Sequence, residues 1–283
     1  MTSVVKIEKD EVIYFKAFLS SRNDVHILET TNPHEAFRAK INDSTIVGYT
    51  SGSVVINNDK IKPIIDDILY DIRKHKLNYD IIIGSDEAGK GEWLGPLVVA
   101  AVALTPKQVL YLQGKGVRDS KLIKTNVIKS LSTVIKAYSV NYKIVSIYPK
   151  DFNRLFKQIK LDGGNLNDLL AQKHFISIND ILTSSIIQKK IKIVIDEFDK
   201  AKTDYLMRDI SSRSNIELIQ KPKAEEEIAV AAASILARAE REKILDDLST
   251  EFNVEIRSLS EADVISHPFA NDIAKVSYLI KSN

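Results

Sequence analysis

Acidic side chains follow two apolar stretches of the sequence. The stretch 81–83 leads into Asp86 and Glu87, and the stretch 194–195 leads into Asp196. A carboxylate at the end of a buried strand is costly to desolvate unless a cation accompanies it. An acid at a strand end can equally form a turn. Because neighbouring residues of a strand point to opposite faces, we expect Asp86 and Glu87 to converge only where the strand breaks.

A third acidic cluster, Glu225-Glu226-Glu227, opens an alanine-rich helical segment. Acids in the first turn of a helix stabilise it through the helix dipole, so these three residues are either caps or ligands. The sequence has no cysteine and five scattered histidines, which excludes a disulfide framework, a thiol nucleophile and cysteine-ligated zinc. Clustered carboxylates without such partners favour oxygen-liganded Mg²⁺ or Mn²⁺.

The elements that must position these acids begin at about residue 79, where apolar strands alternate with helical segments. Strands are predicted over 80–85, 96–104, 139–148 and 192–195, and helices over 121–137, 166–189 and 224–248. This order predicts a mixed α/β sheet flanked by helices. Polar sites in such sheets gather at the carboxyl ends of the strands.

The first 78 residues read as a separate small α+β unit. Strands are predicted over 4–7, 25–29, 36–41, 45–50 and 53–56, the last three as a meander, with helices over 11–20 and 61–72. The second of these helices is expected to cover one face of the sheet. In the strand 36–41, Arg38 and Lys40 share one face, which we expect to be open, and apolar residues share the other. The polar stretch 73–78 is the predicted linker.

The net charge is only +2, but the charge is unevenly distributed. Residues 107–160 hold twelve bases and two acids, whereas residues 225–263 hold eleven acids and four bases. This pattern indicates either a phosphate-binding surface with a counter-charged region, or two solvated helix faces. The longest apolar stretch, 94–104, is shorter than the about 20 residues that span a bilayer. With no signal-peptide core at its start, the sequence predicts a cytoplasmic protein without a membrane partner.

Four segments, in this order, resemble the motifs of the type 2 and type 3 ribonucleases H. They are GSDEAGKGEWLGPLVVAAV (84–102), GVRDSK (116–121), VIDEF (194–198) and KAEEEIAVAAASILAR (223–238). The loop GKG at 89–91 and the fourth acid, Glu225, favour type 3. The segments AFRAK (36–40) and YTSGSVVI (49–56) are similar to the TATA-binding-protein-like domain of type 3 members, and GNLNDLLAQKH (164–174) also resembles a type 3 segment.

The resemblance implies a ribonuclease H-like catalytic domain at 79–283, preceded by a TATA-binding-protein-like substrate-binding domain at 1–78. It implies an endonuclease that hydrolyses the RNA strand of RNA/DNA hybrids with two metal ions, Mg²⁺ or Mn²⁺, and leaves 3′-hydroxyl and 5′-phosphate ends. The implied catalytic residues and metal ligands are Asp86, Glu87, Asp196 and Glu225. We expect a monomer without an obligate protein partner.

The candidate substrate-binding residues are Gly89, Lys90, Gly91, Ser120, Lys121, Asn167, Arg38 and Lys40. The two glycines would let the loop backbone approach a 2′-hydroxyl, the group that distinguishes RNA from DNA, although an ordinary turn would also use them. Ser120 either contacts phosphate or caps a helix that starts at residue 121. Asn167 binds the nucleic-acid backbone or forms a turn. Arg38 and Lys40 would grip the hybrid away from the cut.

Two alternatives stay open from the sequence. One is a type 2 enzyme that acts on single ribonucleotides in DNA, and the other is a non-catalytic hybrid-binding protein. The tyrosine that recognises a lone ribonucleotide in type 2 enzymes has no counterpart here, since Tyr278, the only tyrosine after Tyr205, lies in a helical context. The run Glu92-Trp93-Leu94 departs from the family's more common Asp-aromatic-aromatic run, which predicts altered packing under the loop.

Overall fold

The computed structural model describes residues 2–9, 11–20, 22–74, 79–118, 120, 123–182 and 185–279. The chain divides into two units, Met1–Asn78 and Tyr79–Asn283. Residues 75–78 of the predicted linker lie outside the described residues. Nowhere in the described ranges is there a helix long and apolar enough to cross a membrane.

A five-stranded antiparallel sheet forms the first unit. Its strands are β1 (Ser3–Lys6), β2 (Val25–Leu28), β3 (Glu35–Ile41), β4 (Ser44–Tyr49) and β5 (Ser53–Ile56), in the order β1-β5-β4-β3-β2. The predicted meander is confirmed, because β3, β4 and β5 pair in sequence. Helix α1 (Glu11–Ser20) packs on β2, β3 and β4, and α2 (Lys62–Lys74) packs on α1.

Strand β3 shows the alternation that its sequence predicts. Phe37, Ala39 and Ile41 are buried, whereas Arg38 and Lys40 lie on the opposite face. The ring of Phe37 stacks on a phenylalanine ring of α1, which identifies the apolar face as the one that the helices cover. The two basic residues therefore lie on the face away from α1.

The second unit contains a mixed five-stranded sheet. Its strands are β6 (Ile81–Ala88), β7 (Leu97–Leu104), β8 (Asn141–Ile147), β9 (Ile191–Asp196) and β10 (Ile216–Lys221), in the order β10-β9-β6-β7-β8. Strands β10, β9 and β6 are parallel, whereas β7 and β8 are antiparallel to their neighbours. The predicted mixed α/β sheet is confirmed. The edge strand β10 was not predicted, since its polar residues leave only a short apolar pattern.

Helices cover both faces of this sheet. They are α3 (Pro106–Gly114), α4 (Thr125–Tyr138), α5 (Pro149–Leu161), α6 (Leu166–Leu182), α7 (Lys200–Leu206), α8 (Arg208–Ser211), α9 (Ile228–Glu251), α10 (Glu261–Ser266) and α11 (Ala270–Ile273). Helix α9 packs across β6 and β7, and α6 packs on β6, β7 and β8. These two helices lie on opposite faces of the sheet, because Gly84 of β6 faces α9 and the next residue, Ser85, contacts α6.

Helix α9 approaches the sheet closely because small residues face each other. A Cβ placed on Gly84 of β6 would lie 2.1 Å from the carbonyl carbon of Ala229. The alanines at 231–233 are also fully buried. This contact leaves no room for a larger side chain and sets the height of α9 above the strand that carries Asp86.

Three predicted helices have different boundaries in the structure. Helix α4 begins at Thr125 rather than at 121, and α6 ends at Leu182, followed by a 3₁₀ helix, Ser185–Gln188. The predicted helix 224–248 divides into a 3₁₀ helix, Ala224–Glu226, an extended Glu227 and then α9. The prediction that the acidic cluster opens the long helix is therefore wrong. The periodicity continues across the break because both pieces bury small apolar residues.

Candidate active site

A cleft with a volume of about 640 Å³ opens where β6 ends. Its lining is acidic and basic, and consists of Asp86, Glu87, Ala88, Gly89, Lys90, Glu92, Ser120, Asp196, Glu225, Ser234, Arg238, Arg241 and Glu242. All four sequence-predicted carboxylates therefore line one cleft. Asp196 reaches it because β9 runs parallel to β6 and ends beside it, and Glu225 reaches it from the turn that precedes α9.

Strand β6 continues without a break through Asp86 and Glu87, and both residues still pair with β7. The expectation that the strand must break there is wrong. Because side chains alternate along a strand, Asp86 points towards α9, beside Ser234, and Glu87 points towards α6, where His174 contacts it. The two carboxylates reach the cleft from opposite faces, just beyond Ser85, the last β6 residue that pairs with β9.

Asp86 is held in an electrostatically unfavourable position. Burial, followed by the negative charge of Glu87 and then that of Asp196, raises the pKa of Asp86 to about 7, although Ser234 and the Glu87 backbone N–H, which donates to Oδ1 at 2.8 Å, act in the other direction. The Ser234 hydroxyl lies 2.9 Å from that of Ser120. The charged form of Asp86 is therefore disfavoured mainly because it is desolvated.

Glu87 has the opposite environment. Burial acts to raise the pKa of Glu87, but the hydrogen bonds and electrostatic attraction of His174 and Lys90 outweigh it, so that the pKa lies below its usual range. The Lys90 Nζ lies 3.3 Å from Oε1, and the His174 Nε2 lies 3.2 Å from Oε2. The ring of Phe198 stacks on His174, and Lys90 lies over the same ring. On the same strand, the charged form of Glu87 is thus favoured and the charged form of Asp86 is disfavoured.

Asp196 connects the end of β9 to the turn that carries Glu225. Its Oδ1 accepts a hydrogen bond of 2.9 Å from the backbone N–H of Ala224, the first residue of the 3₁₀ helix. Of the three neighbouring acids, Glu225 lines the cleft, whereas Glu227 pairs with one lysine on β9 and another on β10. The carboxylate of Asp196 therefore helps to place the fourth acid.

The loop after β6 depends on one glycine. Gly89 has a φ of 87°, and a Cβ there would lie 2.3 Å from the carbonyl oxygen of Pro96. Gly91 differs, because a Cβ on it would meet no atom within 4 Å, and Gly91 does not line the cleft. The hydroxyl of Tyr278 donates to the carbonyl oxygen of Lys90 at 2.8 Å, which supports the loop from behind.

The segment after α11 anchors the other end of this loop. The buried Lys275 Nζ donates to the carbonyl oxygen of Gly95 at 2.7 Å. Burial, together with the positive charge of Arg241, lowers the pKa of Lys275 to about 7, although Glu92 acts in the other direction. Arg241 forms an ion pair with Glu92. Glu92, which departs from the family pattern, thus connects the loop to α9.

Ser120 and Asn167 differ in where they lie. Ser120 lines the cleft, but it is only 4% exposed, and its carbonyl oxygen accepts a hydrogen bond of 2.5 Å from Arg238. The alternative that Ser120 caps the following helix is wrong, because α4 begins at Thr125. Asn167 is not part of the cleft lining, and its side chain donates to Asp199 at 3.2 Å. Lys121 lies outside the described residues.

Arg38 and Lys40 belong to the first unit. Arg38 donates to Glu35 and to the hydroxyl of Thr31, and this pairing holds the pKa of Glu35 at about 2. Lys40 is exposed on the same face of β3. Part of the donor capacity of Arg38 is therefore used within the unit, whereas Lys40 projects into solvent.

The cleft offers oxygen donors of the kind that hard divalent cations prefer. As the side chains stand, the described residues form no group of three or more His, Asp or Glu that could hold a metal ion. Burial, and then the charges of the neighbouring acids, disfavour the charged form of Asp86, which a bound divalent cation would stabilise. The donor set fits Mg²⁺ or Mn²⁺ chemically, and closing on such an ion requires side-chain rotation.

Several residues of the site are absent from the sequence predictions. His174 and Ser234 contact the two carboxylates of β6, and Arg241 and Tyr278 support the loop. The available signal was weak: Ser234 is a lone polar residue within a buried alanine run, and His174 interrupts the apolar stripe of α6.

A mixed sheet of this strand order, with acids at the ends of its central strands and a glycine-containing loop beside them, defines a ribonuclease H-like enzyme. The chain matches the family model of ribonuclease HII over residues 83–260. It is 32% identical over 236 residues to ribonuclease HIII of Protochlamydia amoebophila, which covers 80% of this chain and 75% of that protein. It is 30% identical over 280 residues to ribonuclease HIII of Oceanobacillus iheyensis, which covers 92% of this chain and 88% of that protein. The chain therefore belongs to the ribonuclease HII family, and the two relatives just described are ribonucleases HIII.

Solved structures show the same fold. Bst-RNase HIII in complex with Mn²⁺ has a TM-score of 0.60 and 20% sequence identity, over 98% of this chain and 96% of that chain. Ribonuclease H3 of Aquifex aeolicus has a TM-score of 0.57 and 20% identity, over 98% of this chain and 100% of that chain. These structures confirm the predicted fold class, and the family match together with the ribonuclease HIII relatives confirms the prediction of a ribonuclease H enzyme.

Proposed function

We propose that this chain is an endonuclease that hydrolyses the RNA strand of RNA/DNA hybrids with two divalent metal ions, Mg²⁺ or Mn²⁺, and leaves 3′-hydroxyl and 5′-phosphate ends. The observation that carries the proposal is the shared cleft of Asp86, Glu87, Asp196 and Glu225 beside the loop at 89–91. The relatives named ribonuclease HIII and the Mn²⁺ complex of Bst-RNase HIII support it.

The four carboxylates would hold the cations. Asp86 interacts electrostatically with both Glu87 and Asp196, so it is the best placed of the four to be shared between two ions. Divalent ions bound here would supply an activated water, neutralise the phosphodiester and stabilise the leaving 3′ oxygen. Ser234, whose hydroxyl lies 2.9 Å from that of Ser120, favours the charged form of Asp86 that would bind a cation.

The loop at 89–91 would read the RNA strand. In a hybrid duplex the 2′-hydroxyls are displayed in the wide minor groove, and a backbone without side chains can approach them closely. Among the described residues, none lies within 4 Å of a Cβ placed on Gly91, which leaves room for that approach. Lys90 and Arg241 line the same cleft and add positive charge beside the acids.

The first unit would bind the hybrid away from the cut. Its β3 carries Arg38 and Lys40 on the face that α1 does not cover. Such contacts to phosphates supply affinity rather than catalysis, and they weaken steeply as salt rises. The ribonuclease H-like unit, residues 79–283, would supply the chemistry.

Substitution of Asp86→Asn tests the metal-dependent mechanism. We expect cleavage of a labelled hybrid in Mg²⁺ or Mn²⁺ to fall about a thousandfold, because several kcal/mol of transition-state stabilisation are lost. Hybrid binding measured without divalent metal should change by less than about threefold, since phosphate contacts elsewhere remain. Glu197→Gln is the matched control, because this exposed acid directly follows Asp196 but does not line the cleft.

A second substrate separates the type 2 alternative. The wild-type chain should cleave a continuous hybrid faster than a DNA duplex that carries one ribonucleotide, and the products should carry 3′-hydroxyl ends. Undiminished cleavage by Asp86→Asn would exclude the metal mechanism. A preference for the single ribonucleotide would instead assign the chain a type 2 activity.

A further inference from the structure

His174 lies fully buried on α6, directly beneath β6. It interrupts an apolar stripe, since Leu170 and Ile178, one turn away on either side, are also fully buried. Burying an imidazole at such a position costs free energy unless its polar atoms find partners. Both ring nitrogens have one here, which points to a role beyond packing.

The two partners of the ring lie on the same strand. The Nδ1 atom lies 2.7 Å from the Ser85 Oγ, and this hydroxyl lies 2.9 Å from the carbonyl oxygen of Ala100 on β7. The Nε2 atom lies 3.2 Å from the Oε2 of Glu87. A continuous chain of contacts thus runs from the backbone of β7 through Ser85 and His174 to the Glu87 carboxylate.

The orientation of the ring is fixed from the side as well. The ring of Phe198, which follows the end of β9, stacks on His174 with a centroid distance of 5.1 Å and an interplanar angle of 23°. The ring therefore has a defined plane in addition to its two polar contacts.

The direction of each contact follows from the groups at its ends. The Ser85 hydroxyl donates to the carbonyl oxygen of Ala100, so its oxygen accepts from the Nδ1–H of His174. The Nε2–H donates to Glu87, because an ionised carboxylate only accepts.

We propose that His174 is a positioning residue that fixes the carboxylate of Glu87 for metal binding through the Ala100–Ser85–His174–Glu87 chain. This inference rests on the proposed function, since it assigns Glu87 to a metal ion. Groups that orient a metal ligand commonly change metal affinity or activity by about 10–100-fold when they are removed. Lys90, on the other side of Glu87, is partly exposed and flexible, so it cannot define the carboxylate plane in the same way.

Direct Mn²⁺ binding tests the inference without relying on turnover. Mn²⁺ is titrated into the full-length chain without nucleic acid, and free Mn²⁺ is followed by electron paramagnetic resonance. His174→Leu, which keeps most of the volume but removes the donor, should weaken Mn²⁺ binding by about 10–100-fold. His174→Gln, which can still donate towards Glu87, should recover binding to within about threefold of wild type. The affinity for a hybrid measured without divalent metal should stay within about twofold.

Two further variants separate positioning from packing. Ser177→Ala alters a buried hydroxyl one turn further along α6 that donates only to the His174 backbone carbonyl, and it should leave Mn²⁺ affinity unchanged. Ser85→Ala removes the far end of the chain and should weaken Mn²⁺ binding about threefold, with no added loss in the His174→Leu background. Melting curves identify any variant that fails to fold, and Ser85→Ala then decides alone.

The outcomes are distinguishable. A wild-type chain that neither binds Mn²⁺ nor cleaves a hybrid contradicts the proposed function itself. A wild-type chain that does both, together with His174→Leu or Ser85→Ala at unchanged Mn²⁺ affinity, overturns only the role of His174. Equal impairment of the folded Leu and Gln variants also overturns it, because a positioning role requires rescue by the donor.

Discussion

Two adjacent carboxylates on one strand have different electrostatic environments. Lys90 and His174 favour the charged form of Glu87, whereas burial and the neighbouring acids Glu87 and Asp196 disfavour the charged form of Asp86. One carboxylate is therefore stabilised as an anion and the other is not. This asymmetry suits a site in which an incoming cation would stabilise the second anion.

The raised pKa of Asp86 makes folding stability depend on pH. A carboxyl group whose pKa is about 7 in the folded chain and near 4 in the unfolded chain stabilises the fold below about pH 4, and this contribution is lost as the pH rises through about 7. In the metal-free chain, Asp86→Asn should therefore raise the stability at pH 8 by up to about 4 kcal/mol. The difference should disappear near pH 4. Thermal unfolding in chelator at the two pH values measures it.

Added metal provides the control for this effect. Mg²⁺ or Mn²⁺ at pH 8 should raise the melting temperature of the wild-type chain more than that of Asp86→Asn, because a bound cation stabilises the folded state. Equal melting temperatures of both metal-free chains at pH 8 would contradict the electrostatic account.

At the scale of elements, the loop between β6 and β7 combines a position that must be glycine with one that need not be. Gly89 lies in the left-handed region with the Pro96 carbonyl oxygen where a Cβ would be, whereas Gly91 faces open space. Structural necessity explains the first glycine. At the second, a side chain would matter only if a ligand approaches the loop.

Paired alanine substitutions test this division. Gly91→Ala should leave the melting temperature within about 2 °C of wild type, since its Cβ meets nothing, but should raise the KM for a hybrid about tenfold if the duplex backbone approaches the loop. Gly89→Ala should lower stability by about 1–3 kcal/mol, because it combines a clash with an unfavourable φ. A Gly91→Ala enzyme with unchanged KM would show that the substrate stays away from this loop.

At the scale of the whole molecule, the two units have separate roles in the proposed function. Each unit buries apolar side chains of its own, such as Phe37 and Ile46 in the first and Val99 and Ile193 in the second. All four carboxylates belong to the second unit, and the basic face of β3 belongs to the first. We therefore expect affinity and chemistry to be separable.

Removal of residues 1–78 measures that separation. The remaining chain should keep metal-dependent cleavage, with kcat within about threefold of the full-length chain. Its KM for a hybrid should rise about tenfold, and the salt dependence of KM should become shallower by the equivalent of about two phosphate contacts. Kinetics at three salt concentrations measure both changes. An unchanged KM would show that the first unit has another role.

A pair of lysine variants controls for unfolding of the truncated chain. Lys40→Ala should weaken hybrid binding and lower the salt slope by about one, because Lys40 lies on the exposed face of β3. Lys16→Ala should have little effect, since this exposed lysine lies on α1, on the other side of the sheet. Equal effects of the two substitutions would indicate a non-specific charge effect.

Local patterns in the sequence were enough to predict the class of fold, the segments that carry the acids and the alternation of β3. These features follow from local periodicity, from residue types at strand ends and from motifs, none of which needs the rest of the chain to be recognised. The same reasoning began the long helix at 224, whereas α9 begins at Ile228, because a break between two apolar pieces leaves little trace in composition.

The contacts around each acid are visible only in the tertiary structure. His174 contacts Glu87 across 87 residues of sequence, and Tyr278 contacts the Lys90 carbonyl across 188. The tertiary structure also shows that β6 runs unbroken, so that Asp86 faces α9 and Glu87 faces α6. Such contacts depend on how helices pack on the two faces of a sheet. Periodicity shows that a face is buried, but it does not show which side chains meet there.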